Sequence, residues 1–101
     1  MAGYELISER EESGCWIYEF DLKEGNEYLS RHQLRLAWAD YDLWVRGGSV
    51  EPTCVADAIL RFVLGNQAFD PLPRKIDSSH PRRLVQGADQ MISSLIKDIS
   101  P

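Results

Sequence analysis

The segment from Leu34 to Leu64 constrains the fold most, because its hydrophobic period changes once along its length. Up to Trp38, apolar residues alternate with polar or small ones, which is the period of a strand with one buried face. Beyond Ala39 they recur at helical intervals, and Gly47-Gly48 separates this run from a second one that opens at Pro52. A strand that leads into helices predicts an α+β fold.

Two more strands are predicted before this segment. Residues Cys15 to Leu22 alternate between an aromatic side and a mixed side, which gives a strand one apolar face. Tyr4 to Glu9 is a shorter candidate, and turn residues around Gly14 separate the two. With Gln33 to Trp38 as the third strand, we expect a small three-stranded antiparallel sheet in the N-terminal part. The pattern of Glu27 to His32 is compatible with either extended or helical structure.

Two to three helices are predicted to pack on this sheet. The first is short and begins near Asp40, whose side chain is placed to cap it, and Gly47-Gly48 ends it. The second begins at Pro52, after a cap at Ser49 or Glu51. Its broad apolar stripe makes it the centre of the predicted core. The stripe consists of Val55, Ala58, Ile59, Phe62 and Val63.

The C-terminal part is predicted to contain one long helix. Asp70 to Pro73 reads as an extended connector, because proline restricts both itself and the residue before it. The helix then opens at the Ser78-Ser79-His80-Pro81 segment, and its apolar stripe continues to Ile99.

Composition limits the chain to one domain. It has 101 residues, of which 44% are hydrophobic, and this is enough for one core and too little for two, so we expect a single α+β domain over residues 1–101. The apolar stretches are shorter than the about 20 residues that a membrane span requires. The N-terminus lacks the pattern of a secretory signal. Cys15 and Cys54 are too few for a disulfide framework and are predicted to be buried, reduced thiols. These features predict a cytoplasmic protein without membrane contact.

Charge is distributed unevenly. The net charge is −5, yet residues 1–27 alone carry two basic and eight acidic residues, which is a net charge of −6. An acidic first quarter repels polyanions such as nucleic acid and anionic lipid. Nucleic acid is therefore the less favoured partner.

A motif across the middle of the chain resembles a group of small bacterial proteins without an assigned function. The residues that carry the resemblance are Leu36, Asp40-Tyr41, Leu43, Gly47-Gly48, Pro52, Val55, Arg61-Phe62 and Leu64. In that group a strand leads into a turn with Asp-Tyr, a Gly-Gly pair, a helix started by proline and a final helix. The resemblance covers residues 33–80 and implies an α+β fold in a bacterial protein, without an activity. The chain departs from the pattern after Leu64, where Gly65 replaces the expected charged run.

No arrangement of residues in the sequence indicates a reaction. The histidines, His32 and His80, and the two cysteines lack the short spacing by which two metal ligands share one turn. Cys54 lies in the first turn of a predicted helix, where a thiolate is favoured, but its apolar neighbours indicate burial. Asp40 and Asp42 could act as an acid–base pair, although capping explains Asp40 more simply. We predict that the protein is not an enzyme and needs no cofactor or metal.

One basic cluster opposes the net charge and is the candidate contact for a partner or a phosphate group. It comprises Arg74, Lys75, His80, Arg82 and Arg83. Arginines near a helix N-terminus combine side-chain donors with free backbone amides, which makes a nucleic-acid-associated regulator the alternative function. The simpler interpretation of the cluster is a solvated linker and helix start.

The leading prediction is a non-enzymatic protein-interaction or assembly module, with a homodimer as one of its forms. Large aromatic residues motivate it, because a chain of this size is not expected to bury all of them and such residues are enriched in the cores of interfaces. These residues are Trp16, Tyr18, Trp38 and Trp44.

Overall fold

Four strands form one mixed sheet in the computed structural model, which describes residues 2–45 and 50–96. Three long strands, β1 (Ala2–Glu12), β2 (Cys15–Glu24) and β3 (Glu27–Ala37), make an antiparallel meander. The short strand β4 (Lys75–Asp77) pairs with β3 in parallel, so the strand order is β1-β2-β3-β4.

Within the described residues, four α-helices accompany the sheet. They are α1 (Trp38–Trp44), α2 (Pro52–Leu64), α3 (His80–Leu84) and α4 (Ala88–Leu95), and a 3₁₀ turn (Gln67–Phe69) follows α2. Among the described residues, no helix has the length and apolar character needed to cross a membrane.

The hydrophobic core lies between one face of the sheet and α2. Tyr18 and Phe20 of β2 and Leu34 and Leu36 of β3 are completely buried on this inner face. The predicted stripe of α2 packs onto them, and all five of its residues are buried. Each such side chain contributes about 1.5 to 3 kcal/mol by leaving water, so this layer supplies most of the driving force for folding.

The outer face of the sheet is covered by its own charged side chains. Arg31 pairs with Asp21 at 2.7 Å, and Arg35 of β3 pairs with Asp77 of β4 at 3.0 Å. Both arginines are about half exposed, and pairs that reach solvent in this way contribute at most about 1 kcal/mol each. Ile17, in the middle of this face, is only 4% exposed, and its cross-strand neighbours are Arg10 of β1 and Arg35 of β3.

A β-bulge changes the facing of β1 halfway along the strand. Leu6 pairs with Phe20 and Ser8 pairs with Glu19, so Ile7 is the extra residue between them. The bulge moves Glu9 to the inner face, where an unbroken alternation would have placed Ser8. It explains why the alternation in this part of the sequence predicts only a short strand.

The predicted α+β class is confirmed, whereas the predicted sheet is incomplete. The sheet has four strands rather than three and is mixed rather than antiparallel. The missing strand, β4, has only three residues and follows a proline-rich stretch that indicates a connector. Its pairing with β3 joins parts of the chain that are about 40 residues apart, and the local hydrophobic period of the sequence does not predict such a contact.

The predicted end of β3 is also wrong, because β3 spans Glu27–Ala37 and Trp38 is the first residue of α1. Trp38 is 44% exposed instead of facing the core. Asp40 does not cap α1: the N-cap residue is Ala37, and no side chain of the described residues caps this helix. Asp40 is the third residue of α1, in its first turn, with its carboxylate buried and paired elsewhere.

The predicted long C-terminal helix is two helices. Gly87, with φ of +79°, separates α3 from α4, and a left-handed conformation of this kind cannot continue an α-helix. The stripe is therefore not continuous, since Leu84 and Met91 are exposed while Ile92 is buried. Ile99, where the predicted apolar stripe ends, lies outside the described residues.

The second predicted helix agrees most closely with the structure. It begins at Pro52 after the N-cap residue Glu51, and Gly65 is its C-cap. The alternative cap Ser49 and the predicted helix stop at Gly47-Gly48 lie outside the described residues.

Replacement of Phe62 by alanine tests the position of α2 at the centre of the core. Phe62 is 8% exposed and its ring packs edge-on against Phe69, so Phe62→Ala should lower the free energy of unfolding by about 3 to 5 kcal/mol. Chemical denaturation measures this change. Leu84→Ala, at a position that is 60% exposed, is the control and should change it by less than about 0.5 kcal/mol. A loss below about 1 kcal/mol for Phe62→Ala would contradict the central position of α2.

Candidate functional site

The five predicted basic residues lie at the start of β4 and on α3, in different surroundings. Arg74 and Lys75 are exposed at the start of β4, and Arg83 is exposed on α3. His80 is half-buried, and its Nδ1 accepts a hydrogen bond from the backbone N–H of Asp77. Arg82 points into a cluster of carboxylates, so it does not present its charge to a partner.

Arg82 connects three helices through charged contacts. Its Nη2 lies 2.7 Å from Oδ1 of Asp40 on α1, and its Nε donates to both carboxylate oxygens of Asp89 on α4 at 3.1 and 3.2 Å. The guanidinium also lies over the ring of Trp44, 5.7 Å from the centroid. The Trp44 indole N–H donates to Asp89 at 3.0 Å, which closes the arrangement.

Asp40 receives its second support from the turn before α3. Ser78 is completely buried, and its hydroxyl donates to Oδ2 of Asp40 while accepting from the backbone N–H of Ala37. The carboxylate of Asp40, which is 7% exposed, is thereby balanced by Arg82 on one oxygen and by Ser78 on the other. A buried carboxylate is stable only when it is paired in this way.

The hydrogen bonds from Arg82 hold the pKa of Asp89 below its usual value, and the hydrogen bond from Trp44 adds to this effect against the opposing effect of burial. A lowered pKa means that the folded state favours the ionised carboxylate. The stabilisation is present at neutral pH and is lost as the pH falls through the pKa of the folded state.

A small hollow lies where β3 meets β4. It has a volume of about 150 Å³, and its lining includes Arg35, Lys75, Asp77 and His80. The positive charge of Arg35 is already paired with Asp77. Lys75 and His80, two members of the predicted basic cluster, thus line the same hollow as the carboxylate of Asp77.

An aromatic cluster lies at the end of the sheet where β1 turns into β2. The ring of Trp16 is 6.2 Å from the ring of Trp38 and 5.3 Å from that of Tyr41. The backbone N–H of Trp38 donates to the carbonyl of Gly14 in the hairpin turn, which fixes α1 beside the turn. Tyr41 is buried and Trp16 is half-buried, so Trp38 is the exposed part of the cluster.

A carboxylate borders this cluster. Glu11 of β1 pairs with Trp16 of β2 and shares its face of the sheet. Glu11 is exposed and has no ion-pair partner in the described part of the chain. We refer to Trp16, Trp38 and Glu11 together as the aromatic end.

The histidines and cysteines are held apart in the fold. Both ring nitrogens of His32 are engaged, Nδ1 with the carbonyl of Pro73 and Nε2 with the hydroxyl of Ser30, each at 2.6 Å. Cys15 is buried as predicted, whereas Cys54 is only half-buried, because the first turn of α2 lies near the edge of the core. Within residues 2–45 and 50–96, no three His, Cys, Asp or Glu side chains are grouped to hold a metal ion.

Comparison with known proteins adds no assignment: no family model, curated protein or solved structure matches the chain. The resemblance to a group of small bacterial proteins therefore stays a prediction.

Sequence reasoning missed the roles of Asp89 and Ser78. Asp89 lies seven residues after Arg82 and on a different helix, and Ser78 is 38 residues from Asp40. No short-range spacing links these residues. An aspartate among the aromatic residues of a short helix, as at Asp40 between Trp38 and Tyr41, is the one signal that could have indicated a buried charge with a distant partner.

Asp89→Asn tests the ion-pair network around Arg82. We expect it to lower the free energy of unfolding at neutral pH by about 1 kcal/mol, a value reduced from that of a buried pair because the Asp89 side chain is 38% exposed. Since the pKa of Asp89 is lowered in the folded state, the difference from the parent protein should shrink as the pH falls below about 4.

Urea denaturation at a series of pH values measures both effects. Asp42→Asn removes the same charge from an exposed position on α1, and at neutral pH it should change stability by less than about 0.5 kcal/mol. A difference for Asp89→Asn that stays constant down to about pH 2 would contradict the role assigned to Asp89.

Proposed function

We propose that the protein is a non-enzymatic interaction module that binds a partner protein through the aromatic end. The observation that carries this proposal is Trp38, which is 44% exposed although its neighbour Trp16 packs against it. An exposed tryptophan on a rigid aromatic base offers a large contact area at a low cost in conformational entropy, and such residues form the energetic centres of protein interfaces.

The charge around the aromatic end indicates the chemistry of the partner. Glu11 has no ion-pair partner in the described structure, and Glu12 follows it in the same strand. A lysine or arginine of a partner would pair with Glu11 and stack on the face of Trp38. We infer that the bound surface carries basic side chains.

Self-association is the less favoured form of this interaction. Two of the aromatic residues that motivated a homodimer, Tyr18 and Trp44, are buried in the monomer. Of the four aromatic residues, Trp38 and part of Trp16 remain exposed to a second copy. Two copies joined there would bring their Glu11 side chains together, and this like-charge contact opposes the dimer.

A nucleic-acid regulator has less support than the interaction module. Arg82, one of the four cations on which that alternative rests, is committed to Asp40 and Asp89. Lys75 lies in a hollow beside Asp77, which weakens the local positive potential. We propose a cytoplasmic location, supported by the two cysteines, which are both free thiols.

A random peptide library displayed on phage and selected against the folded protein tests the proposal. We expect the recovered peptides to be enriched in lysine or arginine next to an apolar residue. Trp38→Ala should weaken binding of a recovered synthetic peptide at least about tenfold, the usual loss for a tryptophan at the centre of an interface. Fluorescence anisotropy gives the dissociation constant.

The matched control is Leu84→Ala, which removes an exposed apolar side chain from α3. It should leave the dissociation constant unchanged. Recovered peptides without basic residues, or binding that Trp38→Ala does not affect, would contradict the proposal.

A further inference from the structure

One edge of the sheet is long and open. The strand order places β1, with eleven residues, at this edge, whereas the opposite edge is β4, with only three residues. In the described structure β2 is the only strand that pairs with β1. The backbone N–H and C=O groups on the other side of β1 are therefore available to another strand.

The inner face of β1 is only half covered. Tyr4 and Leu6 pack at the border of the core and remain partly exposed, while Phe20, their neighbour on β2, is completely buried. Ile7 at the bulge is 43% exposed. A further strand beside β1 would cover these apolar side chains, and this burial would add to the backbone hydrogen bonds.

Most of the charged side chains on β1 are acidic. β1 carries four glutamates and a single arginine, Arg10. Glu5 pairs with Lys23, and Glu9 accepts a hydrogen bond from Thr53, but both glutamates remain exposed. Glu12 pairs with Arg10 at 2.8 Å, so Glu11 is the glutamate of β1 whose charge is left without a described partner.

A second copy of the chain is a poor occupant for this edge. Paired about its centre, β1 would place Glu5 of one copy opposite Glu9 of the other, and the bulge at Ile7 would interrupt both strands. Charged side chains and bulges are the devices by which proteins prevent this kind of self-pairing. The same glutamates attract a strand of opposite charge.

We propose that β1 accepts an extended, basic segment of a partner protein as a fifth strand of the sheet. This inference rests on the proposed function and specifies how the partner binds. The backbone of the partner segment lies along β1, and one end of the segment reaches Glu11, which is part of the aromatic end. The segment carries an apolar side chain next to Tyr4 and Leu6. It carries lysine or arginine next to Glu9 and Glu11.

The probe is a synthetic peptide of about ten residues, long enough to span β1, in which threonine alternates with valine in the half that meets Tyr4 and Leu6 and with lysine in the half that meets Glu9 and Glu11. A second peptide has the same sequence with alternate backbone amides N-methylated, which removes strand hydrogen bonds and keeps the charge. Amide hydrogen exchange by NMR, with and without each peptide, reports on β1. We expect the first peptide to bind and to slow the exchange of β1 amides, and the second to bind at least about tenfold more weakly, a loss equivalent to about two backbone hydrogen bonds.

Charge reversal provides the matched pair of variants. Glu11→Lys should weaken binding of the first peptide about fivefold, as expected for an exposed ion pair that becomes repulsive. Glu27→Lys makes the same change at an exposed position on β3, away from the β1 edge, and should have a smaller effect. Equal effects of the two variants would overturn the assignment of the site to β1.

The outcomes separate this inference from the proposed function. Equal binding of both peptides, or slowed exchange elsewhere than in β1, overturns strand addition while leaving the aromatic end as a binding surface. No binding of either peptide overturns strand addition as well. The effect of Trp38→Ala on binding of the peptides from the phage library is measured separately. If this substitution leaves their binding unchanged, the proposed function is overturned by that result alone. A protein that is already a dimer with protected β1 amides would show that a second copy occupies the edge, and this result also overturns the inference.

Discussion

The pairing of Asp40 with Arg82 is the interaction on which the arrangement of the C-terminal half depends. Asp40 lies on α1, directly after β3, and its carboxylate is 7% exposed. A carboxylate at that depth is costly unless it is paired, and Arg82 and Ser78 supply the pairing from a segment about 40 residues later in the chain. Arg82 then reaches Asp89, so one guanidinium fixes α3 and α4 against α1.

This network also changes where function is expected. Arg82, a candidate contact for a phosphate group, is used internally, and Lys75 lies on a different element, β4. The acidic residues of the first quarter do not form a comparable internal network within the described residues. Four of the eight lie along β1, where their charge and the open backbone edge coincide with half-covered apolar side chains. The negative charge and the unpaired backbone groups are therefore both found at the β1 edge of the sheet, where we expect a partner to bind.

How far the sequence predicts the structure depends on the range of the interactions involved. The stripe of α2 is a local pattern, and the burial of all its residues confirms it. The strand β4 and the pairing of Asp40 with Arg82 depend on contacts across about 40 residues, and no spacing rule reveals them. Trp38 is an intermediate case. The alternation of apolar residues predicts that β3 includes Trp38, but β3 ends at Ala37 and Trp38 is the first residue of α1.

The candidate site was predictable to a smaller extent. Composition alone shows that the first quarter of the chain is acidic and that aromatic residues are abundant for its size. Which aromatic residue remains exposed depends on how α1 folds back onto the β1–β2 turn, through the hydrogen bond from Trp38 to Gly14. The bulge at Ile7 similarly decides which glutamates share a face with Trp16, and a single extra residue leaves no clear signal in the periodicity.

Equilibrium chemical denaturation of Arg82→Gln beside Arg83→Gln tests most directly whether the C-terminal half depends on the pairing with Asp40. Both substitutions remove one positive charge from α3, but only Arg82 neutralises the buried Asp40. Arg82→Gln should lower the free energy of unfolding by about 3 kcal/mol, the loss expected when a buried ion pair is broken by removal of one partner. Arg83→Gln should lower it by less than about 0.5 kcal/mol. If Arg82→Gln were as mild as Arg83→Gln, Asp40 would not depend on Arg82, and Arg82 would instead be a surface residue available to a partner.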